Sequence, residues 1–201
     1  MKSMGFLECC YKRMCGIAGK VYFDKRSVTT GQLNSMSNKI LHRGPDDEGT
    51  YISRDRKVGL VNRRLAIIDL TSKGHQPMTF KNRFVITYNG EIYNFQEERR
   101  KLEKIGCQFK SNSDTEVLLA LYEKYGKNCL TRLRGMFAFA IYDDKDKTLF
   151  LARDRIGKKP LKYYIDGSVF IFASELKAIL TQKEIKKEID YVAVQAYLVY
   201  C

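Results

Sequence analysis

MFAFAIYDDKDKTLFLA, residues 136–152, sets the reading of the whole chain. Two apolar arms rich in aromatic and branched side chains flank the polar tip DDKDK at 143–147. Such arms around a short polar tip predict an antiparallel hairpin. A second strand pair follows at once: LKYYID (161–166) and SVFIFAS (168–174) meet at Asp166-Gly167, a strong short hairpin signal.

Upstream, GIAGKVYF (16–23), LAIIDL (65–70) and FVITY (84–88) carry the same β-branched and aromatic character and are expected as strands. Helices interrupt them. Leu33, Met36, Ile40 and Leu41 recur at helical spacing and predict a helix over 32–41, ended by the breakers Gly44, Pro45 and Gly49 in HRGPDDEG. FQEERRKLEKIG (95–106) and DTEVLLALYEKYG (114–126) predict two more, each stopped by glycine. Ser113 and Glu116 have the spacing of a capping box at the start of the second. No strand-helix-strand rhythm repeats, so the strands are expected in two antiparallel sheets face to face with helices outside, an α+β fold.

With 201 residues, 44% of them hydrophobic and including 13 Tyr and 11 Phe, the chain can bury the core of one large domain. No window approaches the roughly 18 apolar residues of a membrane span, and the first fourteen residues have too short an apolar centre for a secretion signal. A soluble, cytoplasmic protein with no membrane partner is expected. The six cysteines are irregularly spaced, two of them adjacent, which favours reduced thiols over a disulfide framework. With no C-x-x-C and two histidines, His42 and His75, no metal site is expected. The net charge of +13 raises a nucleic-acid partner, yet bases alternate with acids in EERRKLEK and QKEIKKEID as on solvated helix faces, so none is expected.

Eight strings then occur in order: MCGIAG (14–19), LHRGPDDEG (41–49), RRLAIIDL (63–70), GHQPM (74–78), YNGEIYN (88–94), SDTEV (113–117), LRGMFAFAIYD (133–143) and ARDRIGKKPL (152–161). Together they resemble the glutaminase domain of the glutamine-hydrolysing asparagine synthetases, class II glutamine amidotransferases of the N-terminal-nucleophile hydrolase type. The resemblance runs from Met14 to about Tyr200 and implies a four-layer α/β/β/α sandwich of two antiparallel sheets. It implies hydrolysis of glutamine to glutamate and ammonia through a cysteine thioester.

Each role that chemistry needs falls, by the resemblance, on one place. Alone, a Cys-Gly opening a strand reads as a buried structural cysteine; within this motif set Cys15 is the nucleophile. Its base is its own α-amino group, whose unperturbed pKa of about 7.7 to 8.0 suits proton transfer near neutrality. Asn89 and Gly90, otherwise a plain turn dipeptide, supply the oxyanion donors. Arg64 is assigned to the substrate α-carboxylate and Asp114 to its ammonium, with Glu91 a weaker candidate for the ammonium and backbone groups near Leu65 and Ile67 completing the pocket. His42 and His75 lie in glycine- and proline-bearing loops and are expected as structural hydrogen-bonding residues. ARDRIGKKPL resembles a largely architectural segment in which Lys162 replaces a usual tyrosine.

Residues 1–14 depart from the family pattern, in which the cysteine follows the initiator methionine. They are expected to be either a miscalled start, with translation from Met14, or a propeptide. Residues 15–187 form the amidotransferase domain. Residues 188–201 resemble the first helix of a synthetase domain whose glycine-rich S-G-G-x-D-S loop is absent, which suggests a truncated gene or an excised domain. The implied partners are glutamine and a synthetase domain or separate subunit, with a homodimer also allowed. No cofactor is expected in this chain, ATP and Mg being implied for the synthetase half alone. A catalytically silent remnant acting as a binding domain, or an amidotransferase serving another acceptor, are the alternatives.

Overall fold

The computed structural model describes residues 14–200; the expected extension, but for Met14, and Cys201 lie outside the described residues. In chain order the strands are β1 (Gly16–Tyr22), β2 (Asp47–Ile52), β3 (Val58–Arg64), β4 (Met78–Phe80), β5 (Phe84–Ile92), β6 (Gly135–Asp143), β7 (Thr148–Arg153), β8 (Lys162–Ile165) and β9 (Val169–Ala173). The helices are α1 (Thr30–Lys39), α2 (Phe95–Glu103), α3 (Asp114–Tyr125), α4 (Leu176–Ile179) and α5 (Tyr191–Tyr200). One sheet has the order β2-β3-β1-β9-β8 and the other β4-β5-β6-β7, and every paired neighbour is antiparallel.

Alternation along the strands builds three apolar layers. Ile17, Leu60 and Phe172 of the first sheet meet Val85, Ala138, Ala140 and Tyr142 of the second between the sheets. On the outer face of the first sheet, Ala18, Val61 and Ile171 pack under Leu33 and Met36 of α1 and Ile179 of α4. On the outer face of the second, Ile86, Phe137, Phe139 and Ile141 pack under Leu102 of α2 and Val117, Leu118 and Leu121 of α3. The result is the α/β/β/α sandwich the motifs imply. Phe172 is central: a Cβ on Gly19 would stand 2.4 Å from its ring, so the glycine makes room for it. Phe172→Ala should cost about 3 to 5 kcal/mol of stability, read from the urea midpoint at constant slope. A loss under about 1 kcal/mol would show that the layer between the sheets closes without it.

Both hairpins form where expected, the first as β6–β7 and the second as β8–β9. The second does not use glycine's freedom. Asp166 opens the turn, its N–H donating to Val169 O at 3.0 Å, while its carboxylate accepts from the backbone N–H groups of Ser168 and Val169. Those donors hold its carboxyl down at about 2.

Four local expectations need correction. LAIIDL is no strand: the strand, β3, ends at Arg64, and 65–70 form a loop curled around the Arg64 guanidinium, which donates to the carbonyls of Ile68, Asp69 and Thr71. Helix α1 starts two residues early, where Thr29 and Gln32 form a capping box that apolar spacing does not register, and stops two early, the chain passing through Ile40 into a 3-10 turn at Leu41–Arg43. HRGPDDEG is only partly a break, since β2 begins at Asp47 within it. Ser113 does cap α3 through Thr115 N, but Glu116 does not answer it; its carboxylate instead accepts from Lys110 N and Ser111 N and ties down the preceding loop. Lys162, the departure from the motif, lies exposed on the edge strand β8 and disturbs no packing.

Helix α5 forms as expected, with Val192, Tyr197 and Leu198 exposed. Among the described residues, no helix is long and apolar enough to cross a membrane. Two of the three basic side chains of α2 pair with acids of the same helix, Arg99 with Glu103 and Lys101 with Glu97 and Glu98.

Candidate active site

Cys15 lies immediately before β1, where the chain enters the first sheet. Its backbone carbonyl accepts from Arg43 Nε at 3.1 Å, and Ile17 beyond it exchanges hydrogen bonds with Ser174. Its Sγ accepts from Leu65 N at 3.3 Å. Burial pushes the thiol pKa up, against the pull of the Leu65 N–H and the positive charges of Arg64 and Lys159.

The thiol opens into a cavity of about 430 Å3. Every residue given a catalytic or substrate-binding role from the motifs lines it: Cys15, Arg64, Leu65, Ile67, Asn89, Gly90, Glu91 and Asp114. They come from three elements, one loop and the segment before β1: Arg64 ends β3, 89–91 lie within β5, Asp114 opens α3, Leu65 and Ile67 lie in the loop after β3, and Cys15 precedes β1. His42 and His75 do not line it; each sits on a carboxylate, His42 on Glu175 and His75 on Asp47.

The donors at the cavity floor follow from the ladder of β5. Tyr88 N donates to Gln76 Oε1 at 2.7 Å and Ile92 N to Asp114 Oδ2 at 3.1 Å, both on the side of β5 turned from β6. Gly90 lies between them with the same orientation. Its ladder partner Phe137 directs its own N–H and C=O to Asp154 on the far side of β6, so the Gly90 N–H faces the cavity rather than a strand. A Cβ on Gly90 would stand 2.4 Å from Met136 O, which is why glycine is needed there. Beside it Asn89 is 1% exposed, and its Nδ2 is a buried donor without a partner. An orphaned buried amide is costly and therefore informative, because a ligand oxygen would satisfy it.

Opposite charges stand further out. Arg64 is 7% exposed. Nη1 and Nη2 hold the 65–71 loop through three of the five guanidinium N–H groups, leaving Nε–H and one Nη1–H for a ligand, and Gly74 packs so close that a Cβ would meet Nη2 at 2.1 Å. Asp114 is 3% exposed, with the Tyr88 hydroxyl and Ile92 N both donating to Oδ2. Burial raises its pKa, and those two donors offset part of the rise. Ile67, 57% exposed, and Glu91 form the rim.

Two participants went unmarked by the sequence. Arg43 of LHRGPDDEG grips the Cys15 backbone and is fixed by Glu175 at 3.0 Å. Lys159, from the supposedly architectural ARDRIGKKPL, lines the cavity and donates to Met14 Sδ at 3.2 Å.

The glutamine amidotransferase domain family matches residues 14–201. The chain belongs to that family. A Methanocaldococcus jannaschii protein provisionally named asparagine synthetase (glutamine-hydrolyzing) 2 is 44% identical over 92% of this chain and 39% of its own length. Asparagine synthetase (glutamine-hydrolyzing) 3 of Bacillus subtilis is 44% identical over 88% of the chain and 29% of its own length. The chain thus spans well under half of the relatives it matches. Glutamine phosphoribosylpyrophosphate amidotransferase of Bacillus subtilis, a solved structure, superposes with a TM-score of 0.66 at 24% identity, covering 82% of this chain and 43% of its own. It shares the fold.

Proposed function

We propose that this amidotransferase domain hydrolyses the side-chain amide of glutamine, with Cys15 as nucleophile. The observation that carries the reading is the meeting, in one cavity, of the Cys15 thiol with the unpartnered Asn89 Nδ2 and the outward Gly90 N–H. The thiol attacks the amide carbon, its proton passes through the Cys15 α-amine to the leaving nitrogen, and ammonia departs to leave a γ-glutamyl thioester. Water then releases glutamate. The two donors meet the oxyanion of each tetrahedral intermediate. Arg64 Nε–H takes the α-carboxylate and Asp114 the ammonium, whose charge offsets the burial that now raises the Asp114 pKa. Nucleophile, base and donors all belong to the chain, so the half-reaction calls for no cofactor.

The names of the relatives, glutamine-hydrolyzing asparagine synthetases, support an acceptor step in which a synthetase domain or subunit uses the ammonia to make asparagine; ATP-dependent amidation of aspartate is the step we propose there. Free thiols at Cys15, Cys107 and Cys129 suit a cytoplasmic setting. A second reading, a silent binding domain, is favoured by the Met14–Cys15 peptide bond, which leaves the nucleophile without a free amine.

The test is glutamate and ammonia release by protein beginning at Cys15. In that protein Arg64→Ala and Asp114→Asn should raise KM, with kcat/KM down by about 2 to 5 kcal/mol, because each strands a buried charge of the substrate. Wild-type kinetics in either variant would remove that residue from the substrate site, and no turnover in the parent would leave the silent reading.

A further inference from the structure

Hydrolysis as set out above leaves one buried charge in the cavity wall without a task. Lys159 is 5% exposed, and its Nζ donates to the Met14 thioether, a weak acceptor. Among the described residues no carboxylate lies within ion-pair distance of it, so its burial goes largely uncompensated. The backbone around it is built to keep it there. Asp154 accepts from Lys158 N at 2.7 Å, Lys159 N at 2.9 Å and Phe137 N at 3.2 Å, while Arg153 Nε donates to Lys159 O at 2.7 Å. Gly157 takes the left-handed conformation, φ +67°, that lets the loop close on the Arg153 guanidinium. Burial alone would raise the Asp154 carboxyl, but its three backbone donors outweigh that and hold it below the usual range.

We propose that Lys159 is a positioning residue for the nucleophile: its fixed ammonium biases Cys15 towards the thiolate and its α-amine towards the neutral, proton-accepting form. The inference rests on the reading of Cys15 as an N-terminal nucleophile. Lys159 and Cys15 line the same cavity, and each feels the charge of the other. The remaining charges facing this corner are Glu91 and Asp114 on one side and Arg43, Arg64 and Lys158 on the other. Burial lowers the Lys159 pKa, Glu91 and Cys15 oppose the drop, and Arg43 and Lys158 deepen it. Loss of Met14 removes the thioether partner and leaves Nζ to the cavity's own charges. A cation in the wall of the cavity that Cys15 also lines disfavours the ammonium and favours the thiolate, the same bias that the hydrolysis requires.

The experiment compares protein beginning at Cys15 with its Lys159→Met, Lys159→Gln and Lys159→Arg variants. Alkylation of Cys15 by iodoacetamide is followed against pH by peptide mass, beside the pH profile of kcat/KM for glutamine. Removing the positive charge raises both the thiol and the ammonium pKa. The Met and Gln variants should therefore move the alkylation curve and the acidic limb of kcat/KM to higher pH by on the order of one unit. The Arg variant should return both to the parental position. Superimposable alkylation curves in all four proteins would overturn the proposal, as would a loss that is the same at every pH and shared by the Arg variant. Alkylation decides the charge coupling by itself. A parent that alkylates normally yet never turns over glutamine would refute the hydrolysis, not the coupling.

Discussion

Cys15→Ala, made in protein that begins at Cys15, is expected to lose glutamine hydrolysis by roughly 10^5-fold or more, below detection in an ordinary coupled assay. The size follows from covalent catalysis, since without the sulfur no thioester forms and both halves of the reaction lose their route. Cys15→Ser should fare little better, because a hydroxyl at the same place lacks the thiol's acidity and nucleophilicity. No other described cysteine can substitute. Cys129 is fully buried in the core under the second sheet, where burial pushes its pKa up to about 11. Cys107 packs against the same core, and neither lines the cavity. The Cys15 thiol makes its bonds to Leu65 alone, at 3.3 and 3.5 Å, so the alanine variant should melt close to the parent. Substantial turnover in a folded Cys15→Ala protein would sink the nucleophile assignment.

The sandwich was readable because its strands advertise themselves locally. In β6, alanines and Tyr142 face inward and phenylalanines outward in strict alternation, and the polar tip at 143–147 turns the chain where the hydrophobic signal stops. The failure at LAIIDL has an equally local cause. Its apolar residues suit a strand, but Arg64 offers three donors to nearby carbonyls, and Asp69 takes a positive φ of 53° to let the loop wrap the guanidinium. Hydrophobic pattern cannot register a side chain that competes for the backbone in this way. The capping box misled for a related reason. Glu116 found two backbone N–H donors at Lys110 and Ser111 in the preceding loop, a better offer than the helix start it was expected to serve.

The site divides along the same line. Cys15, Asn89, Gly90 and Asp114 sit in short strings, and the roles expected of them come from the resemblance that the strings carry together. Their meeting is tertiary: Sγ reaches Leu65 across 50 residues and Asp114 reaches Tyr88 across 26. Lys159 shows what strings omit, because its contact with Met14 spans 145 residues. A lysine in a basic loop looks solvated until the fold closes over it. Arg43 was hidden differently, in a motif whose glycines and proline drew attention to the turn rather than to the cation that holds the Cys15 carbonyl at 3.1 Å.

Met14 occupies the decisive position. Its peptide bond converts the α-amine of Cys15 into an amide, whose nitrogen lone pair is delocalised into the carbonyl and cannot accept the thiol proton. Its side chain also lines the cavity, with Sδ held at 3.2 Å by Lys159 in the space a substrate must enter. The two effects are independent and point the same way. Protein that retains residues 1–14 is expected to show essentially no glutaminase activity, and the same protein cut after Met14 should gain it with no other change. The comparison must be made on chains whose intact mass is measured before and after the assay, so that trace cleavage is not mistaken for turnover. Glutamine protection of Cys15 from alkylation gives an independent readout, absent while Met14 fills the cavity and present once it is removed. If a chain verified to retain Met14 turns over glutamine at a rate comparable to the trimmed form, the amine is not the base, and the proton must be taken by another group in the cavity wall.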